Sequence, residues 1–384
     1  MPICWERSRK VLTLHFNDFY MRTVRDFIPA LTLVLAAAFL LAGCRETVGT
    51  GRQTVPFVEQ VLATHGREWA LVAGFNPAEP RGSIALVGPE DRNYILADRF
   101  LKGDVFDNID GRLAPDELPD FSGERIDVIS DKANTPYEAF VGTDEDSLRT
   151  LTVRLFLAAL DTTLSIGAFD NDRLERKSNA KVVVFTSPLS AEFGAFDVDT
   201  LVRSAGKSVP VIFPARLIFE RQLERNIPHM HVAVLTDSTT AASGVYPRVF
   251  DEIAEDRSQL GCGCVAFNCD SVSYAGAVLD GYKAAGGNMP LSAVIVDDPS
   301  VDIEAVRDSF DWIMRVQSEA NLGYRKLLAA GFTVVDASRA VTDECYRILR
   351  RTNNFTHDIA YPYTKSYVTV AATYGGGCNL VEQF

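Results

Sequence analysis

The sequence predicts an α/β protein built on a largely parallel sheet covered by helices on each side, with a ligand cleft at the carboxyl ends of its strands. Three observations carry this expectation. Apolar segments at 83–87, 125–129, 181–185, 209–213, 231–235, 264–268, 291–296 and 332–335 are rich in Val, Ile and Phe and lack in–out alternation. Strands of that kind are covered on both faces. Helix-like stretches at 147–160, 215–225, 243–254, 271–285, 303–330 and 339–350 lie between them. Most strands also end in a polar cluster: Ser130-Asp131, Thr186-Ser187, Thr236-Asp237-Ser238-Thr239, Asp297-Asp298 and Asp336. Any one of these is commonly a helix cap. Five together mark the carboxyl-end rim where open α/β sheets bind ligands.

The chain has 384 residues, 47% of them hydrophobic and 23% charged, which excludes a disordered protein and leaves room for two α/β domains. With 38 Lys and Arg against 51 Asp and Glu the net charge is −13, and no basic stripe offsets it. Phosphate neutralisation needs clustered cations, so nucleic-acid binding is excluded.

Arg22 and Arg25 precede an apolar run over 27–43 that is interrupted by Pro29 and ends Leu41-Ala42-Gly43-Cys44. The run is short against the roughly 20 residues of a membrane span and has the layout of a secretory signal. An ordinary N-terminal anchor helix is the alternative. The Leu-Ala-Gly-Cys ending resembles the bacterial lipobox, which implies cleavage before Cys44 and acylation of its thiol and new amino terminus. Acyl chains insert at about 0.8 kcal/mol per buried CH₂, so several anchor a protein stably. Met21 stands where a signal would begin, so residues 1–20 read as an upstream extension. Arg45 in place of Asp, by resemblance to Gram-negative lipoproteins, implies the outer membrane. The expected layout is 1–43 as extension and signal, then 44–82 as tether with a short helix at 57–65.

Five cysteines remain beyond Cys4 and Cys44: Cys262, Cys264, Cys269, Cys345 and Cys378. Outside the cytoplasm an odd number leaves one unpaired, and the pairing stays open. Cys262-Gly263-Cys264 with Cys269 has neither a fourth ligand nor zinc spacing, so buried structural thiols and no metal are expected. Seven Asp at 91, 98, 104, 107, 110, 116 and 120 lack the EF-hand pattern and read as a solvated loop. His229 and His231 share a face at the start of a strand, away from the rim, and read as surface residues. His357-Asp358 comes without a Gly-x-Ser-x-Gly nucleophile motif, so the C-terminal segment reads as a tail packed on the first lobe. Gly375 to Gly377 read as a flexible turn.

A further pattern begins at Val209-Pro210-Val211-Ile212. After one helix and one strand come Thr236-Asp237-Ser238-Thr239-Thr240 and Ser243-Gly244-Val245-Tyr246, and later Gly331-Phe332-Thr333-Val334-Val335-Asp336-Ala337-Ser338 before a helix. This order resembles the aspartate/glutamate racemase family, good in motif over 209–246 and 331–338 and in topology over about 125–350. The resemblance implies two Rossmann-like lobes about an interlobe cleft, here 83–214 plus 331–384 and 215–330. It also implies that 236–244 receives a substrate carboxylate. Thr186, Ser187, Thr236, Ser238, Thr239, Ser243 and Gly244 are the candidate ligand contacts, as hydroxyls and a helix start supply donors to a carboxylate.

The family racemises without a cofactor, through two cysteine thiols on opposite faces of the substrate α-carbon. Here the first thiol position reads Val184-Phe185-Thr186-Ser187-Pro188 and the second Val296-Asp297-Asp298-Pro299, so neither carries a cysteine. The early Asp-Ser-Gly stretch falls at Ser130-Asp131-Lys132-Ala133. No cofactor is expected. Three readings follow: an envelope lipoprotein that binds a small carboxylate or amino acid without racemising it; an isomerase or lyase using Asp131 and Asp297 as weak catalytic candidates; or a two-lobed solute-binding lipoprotein. The first agrees best with the lipobox and the missing thiols.

Overall fold

The computed structural model describes residues 52–165, 174–259, 261–268, 274–298, 301–370 and 379–383. The chain divides at residue 53, and the architecture is that of the unit from Thr54 onward. The signal and lipobox with Cys44, together with Cys269, Cys378, Pro299 and Gly375 to Gly377, lie outside the described residues.

Helices α1 (Pro56–Thr64) and α2 (Arg67–Ala73) lead into β1 (Ser83–Gly88), α3 (Glu90–Lys102) and β2 (Arg125–Ser130). Next come a short 3₁₀ turn (Tyr137–Phe140), α4 (Glu145–Leu160), and the small strands β3 (Thr163–Ser165) and β4 (Leu174–Arg176). Strand β5 (Ala180–Phe185) follows, then α5 (Pro188–Phe193), α6 (Ala195–Ser204), β6 (Val211–Ile212) and α7 (Pro214–Glu224). The second sheet begins with β7 (His231–Leu235), α8 (Ser238–Ser243), α9 (Val245–Asp256) and β8 (Gly263–Phe267). It continues through α10 (Ala275–Ala284), β9 (Leu291–Val296), α11 (Ile303–Arg315), α12 (Glu319–Arg325) and β10 (Leu328–Asp336). Helix α13 (Ala337–Arg351) and strands β11 (Tyr363–Val370) and β12 (Asn379–Gln383) close the chain.

The first sheet has the order β4-β3-β12-β11-β2-β1-β5-β6, and the second β10-β9-β7-β8. All pairs in the second sheet are parallel. In the first, only β11–β12 and β3–β4 are antiparallel. The fold is thus α/β with mainly parallel sheets. The unbroken apolar runs have the physical cause expected of them: every residue of β1, β5 and β9 is buried. Ala85, Val87, Val183 and Phe185 face one core, shared with Phe219 of α7 and with Val232, Val234 and Ile295 of the second sheet. Ile84, Leu86, Val182 and Val184 face another, closed by Leu96 and Phe100 of α3 and Tyr346 and Leu349 of α13. A third core, under α10 and α11, backs the second sheet.

The structure departs from the sequence expectation in several places. The strand expected to return to the first lobe after Gly331 instead pairs with β9, so the chain crosses back only at Asp336. The expected helix 303–330 ends at Arg315, resumes as α12 and gives way to β10 at Leu328. The helix expected over 243–254 is split at Gly244, whose φ of +69° belongs to the left-handed region that glycine enters freely. The strand at 209–213 is only two residues long. Part of the expected acidic loop is α3, whose buried Asn93, Leu96, Ala97 and Phe100 recur at helical spacing. Glu90 and Asp91 in its first turn, with Arg99 and Lys102 in its last, complement the helix dipole.

The remaining acidic residues fold the 103–123 segment on itself. Asp104 accepts from the backbone N–H of Asp116 and Glu117, Asp107 from Ile109 and Asp110, and Asp120 from Val105 and Phe106. Their density is turn chemistry. The C-terminal segment does more than pack on the first lobe: β11 enters the sheet parallel to β2, and β12 turns back beside it.

Candidate functional site

The hydroxyl-rich segment after β7 spends most of its donors on other groups of the protein. Thr236 is buried and donates to the Asp297 carbonyl at 3.3 Å. Asp237 caps α8, its Oδ1 accepting from the Thr240 N–H at 2.8 Å and the Thr239 hydroxyl at 2.7 Å. Ser243 donates to the Thr240 carbonyl at 2.6 Å, and Gly244 is the joint between α8 and α9. Ser238 is exposed. The helix start expected to receive a ligand's carboxylate is therefore occupied by the chain's own carboxylate, that of Asp237.

The residues expected on the facing wall separate into three places. Thr186 ends β5 and donates to Asn93 Oδ1 at 2.7 Å, while Ser187 caps α5 through the Leu189 N–H. Asp131 is fully buried beyond β2 and receives the hydroxyls of Thr369 (2.6 Å) and Tyr137 (3.0 Å) and the amide of Asn134 (2.8 Å). Asp297 does not face Thr236. It ends β9, the neighbour of β7, and stands beside Thr236 on the same wall.

What faces them is Arg92, in the first turn of α3 after β1. Its Nη2 lies 2.9 Å from Asp237 Oδ2 and 3.5 Å from Thr236 Oγ1, and its Nη1 lies 3.4 Å from Asp297 Oδ2. The Tyr246 hydroxyl donates to the same Asp297 oxygen. The first sheet thus supplies the cation and the second supplies two carboxylates and a phenol. Burial pushes the Asp297 carboxyl above its ordinary range, although Arg92 pulls the other way. The Tyr246 hydroxyl is also raised, by burial and then by the charge of Asp297. Asp237 goes well below the usual range, since the Thr240 and Thr239 hydrogen bonds and Arg92 outweigh its burial. Burial disfavours the Arg92 charge, but Asp297, Tyr246 and Asp237 more than compensate.

Sequence reasoning missed Arg92 because its segment was read as loop; the helix-dipole charges of α3 were the signal available. Tyr246 was part of the Ser-Gly-x-Tyr motif, but nothing local assigned it a partner.

A cavity of about 70 Å³ adjoins Arg92 at this rim, lined also by Thr186, Asp297, Arg99, Asp336 and Ser338. It has room for about two ordered waters. Arg99 lies 3.6 Å from Asp336, so a second charge pair crosses the same space. A larger groove of about 910 Å³ lies at the opposite, amino-terminal edge of the first sheet, among Leu118, Tyr346, Phe355, Ile359 and Tyr361. Of these two, the smaller cavity is the one on which charged groups of both sheets converge, and it is therefore the candidate site.

The two segments expected by resemblance to carry thiols fall at the ends of β5 and β9, as Phe185-Thr186-Ser187 and Val296-Asp297-Asp298. Cys264 lies on β8, at the edge of the second sheet, and Cys345 is buried in α13 with its thiol pushed up by burial. His229 and His231 lie at the start of β7, at the far end of the strand from Thr236. Among the described residues no group of three His, Cys, Asp or Glu is placed to hold a metal ion.

No protein-family profile matches the chain, and no curated protein matches it in sequence. Solved structures do match. Glutamate racemase from Francisella tularensis subsp. tularensis SCHU S4, in complex with D-glutamate, is 13% identical with a TM-score of 0.46, covering 77% of this chain and 90% of that one. A glutamate racemase from Bacillus anthracis is 12% identical with a TM-score of 0.43, covering 76% and 90%. An aspartate racemase homologue from Pyrococcus horikoshii OT3 is 11% identical with a TM-score of 0.35, covering 71% and 99%. These three are solved structures to which the chain is similar, each at low sequence identity.

Proposed function

We propose that this chain binds a small carboxylate-bearing ligand at the carboxyl-end rim of its two sheets and does not racemise it. The observation that carries the reading is Arg92, a largely buried cation aimed from one sheet at the strand ends of the other, beside a small polar cavity. A guanidinium presents a fixed fork of donors that suits a carboxylate. Two-base racemisation needs a proton acceptor and a proton donor on opposite faces of the α-carbon. Asp297 could serve as one, but the other position holds Thr186, whose hydroxyl is engaged by Asn93.

Purified protein incubated in heavy water with L- and D-aspartate and L- and D-glutamate tests both parts. A bound ligand at a hundredfold excess over its Kd adds about 2.7 kcal/mol of stability, visible as a rise in Tm. That rise is expected in the native protein and lost in Arg92→Met. The α-carbon is expected to stay protonated. Deuterium at that carbon, abolished by Asp297→Asn, would instead establish an acid–base enzyme, the second reading that the buried Tyr246–Asp297 contact favours.

The same proposal places the body at the cell envelope, with acylated Cys44 in the bilayer. The lipobox-like ending at residues 41–44 supports it. A radiolabelled fatty acid fed to its native host is expected to label the native protein and not Cys44→Ser, which keeps its unprocessed mass. A native protein that takes up no label would remove the lipid anchor from the account.

A further inference from the structure

We propose that Asp237 is a built-in competitor for the ligand: its carboxylate holds the place on Arg92 that the ligand's carboxylate takes. This rests on the reading that the cleft binds a carboxylate. Binding is then an exchange of partners at one guanidinium.

The division of labour between the two oxygens of Asp237 makes the exchange inexpensive. Oδ1 alone serves the helix cap, receiving the Thr240 N–H and the Thr239 hydroxyl. Oδ2 alone serves Arg92 Nη2, at 2.9 Å. Letting go of Arg92 leaves the cap of α8 intact. The two carboxylates on Arg92 also differ in how they are held. The side chain of Asp237 is 39% exposed, against 17% for Asp297. Asp297 is further tied by the Tyr246 hydroxyl, so the partner that yields is the outer one. Arg92 keeps Asp297 through Nη1 and offers Nη2 to the ligand.

Charge gives the exchange a specificity. One guanidinium between two carboxylates leaves the cluster at a net −1. A ligand that is only anionic must displace Asp237 and then remain near its uncompensated charge, at a Coulomb cost that the partly buried setting enlarges. A zwitterion avoids that cost. Its carboxylate replaces Asp237 on Arg92, and its ammonium meets the freed Oδ2. Asp237 thereby selects against simple dicarboxylates and for ligands with a cationic group next to the carboxylate.

The test compares calorimetric affinities for glutarate, an anion only, and L-glutamate, which adds the ammonium, in the native protein and in Asp237→Asn. Asn caps helices about as well as Asp, so the fold is retained while the charge is lost. Asp237→Ser, a second capping residue, is the reserve should the Asn variant fail to fold. The expected result is glutarate affinity raised at least tenfold in the variant, with the native preference for L-glutamate over glutarate narrowed or lost. Native binding with both affinities unchanged within twofold, or weakened, in the variant overturns the exchange and leaves the binding reading standing. Binding of neither probe by either protein removes both. Glutarate binding by the variant alone supports the exchange in its strongest form.

Discussion

Lys181→Met is expected to lower the unfolding free energy by about 3–5 kcal/mol, because it leaves a buried carboxylate without its counter-charge. Lys181 lies in β5 and Glu124 just before β2, with side chains 0% and 1% exposed. Their 2.7 Å approach is a charge contact more than a well-directed hydrogen bond. The ammonium also donates to the Pro80 and Asn354 carbonyls, both at 2.8 Å, so the variant orphans two acceptors as well. The loss has a pH signature. Burial already raises the Glu124 pKa in the folded protein, with Lys181 opposing, and removing Lys181 raises it further. A carboxyl whose folded pKa exceeds its unfolded value costs nothing below the unfolded value, near 4.5, and costs more as pH rises towards the folded value. The deficit of the variant is therefore largest at neutral pH and narrows towards pH 5. Urea unfolding of both proteins at pH 7 and pH 5 measures it; a pH-independent deficit would show that Glu124 is not the group left stranded. Adding Glu124→Leu is expected to recover much of the loss, less the cost of the Thr356 N–H that Glu124 also receives.

Gly123→Ala is expected to cost about 2–5 kcal/mol, from roughly 1–2 for the left-handed backbone and about 1–3 for overpacking. Gly123 has φ +78°, and a Cβ there would stand 2.1 Å from the Asp358 carbonyl oxygen and 2.7 Å from Thr356 Cγ2. Its N–H donates to the Ala360 carbonyl at 2.6 Å, three residues before β11 begins to pair with β2. The glycine is where the C-terminal segment is laid against the start of β2. Gly142→Ala separates the two causes, since Gly142 has φ +71° and nothing within 4 Å of its would-be Cβ. Its cost should be the conformational part alone, about 1–2 kcal/mol. Equal losses in denaturant unfolding for the two variants would mean that the 356–360 segment yields to the added methyl.

The elements legible in the sequence were those whose cause is local. The centres of β1, β5 and β9 are buried on both faces, so Ile84–Val87, Val182–Phe185 and Ala293–Val296 are apolar throughout and no neighbour need be known to recognise them. Asp237 and Ser187 were legible as polar strand ends, because a cap is formed within three residues of its own position. β11 was not, since Tyr363–Val370 mixes Thr, Lys and Ser with its apolar residues and half-exposed strands carry a weaker signal. Its place beside β2 is set by pairing across more than two hundred residues of chain.

The candidate site divides in the same way. The sequence by itself determined the α/β class and the polar rim after β7 and β9. The tertiary structure decided what that rim does. It joined Arg92 to Asp237 and Asp297, 145 and 205 residues away, and filled the expected carboxylate cradle with the protein's own Asp237. The reason is that an ion pair across a cleft leaves no periodicity, spacing or propensity in either segment. Only the packing of two sheets brings its members within reach.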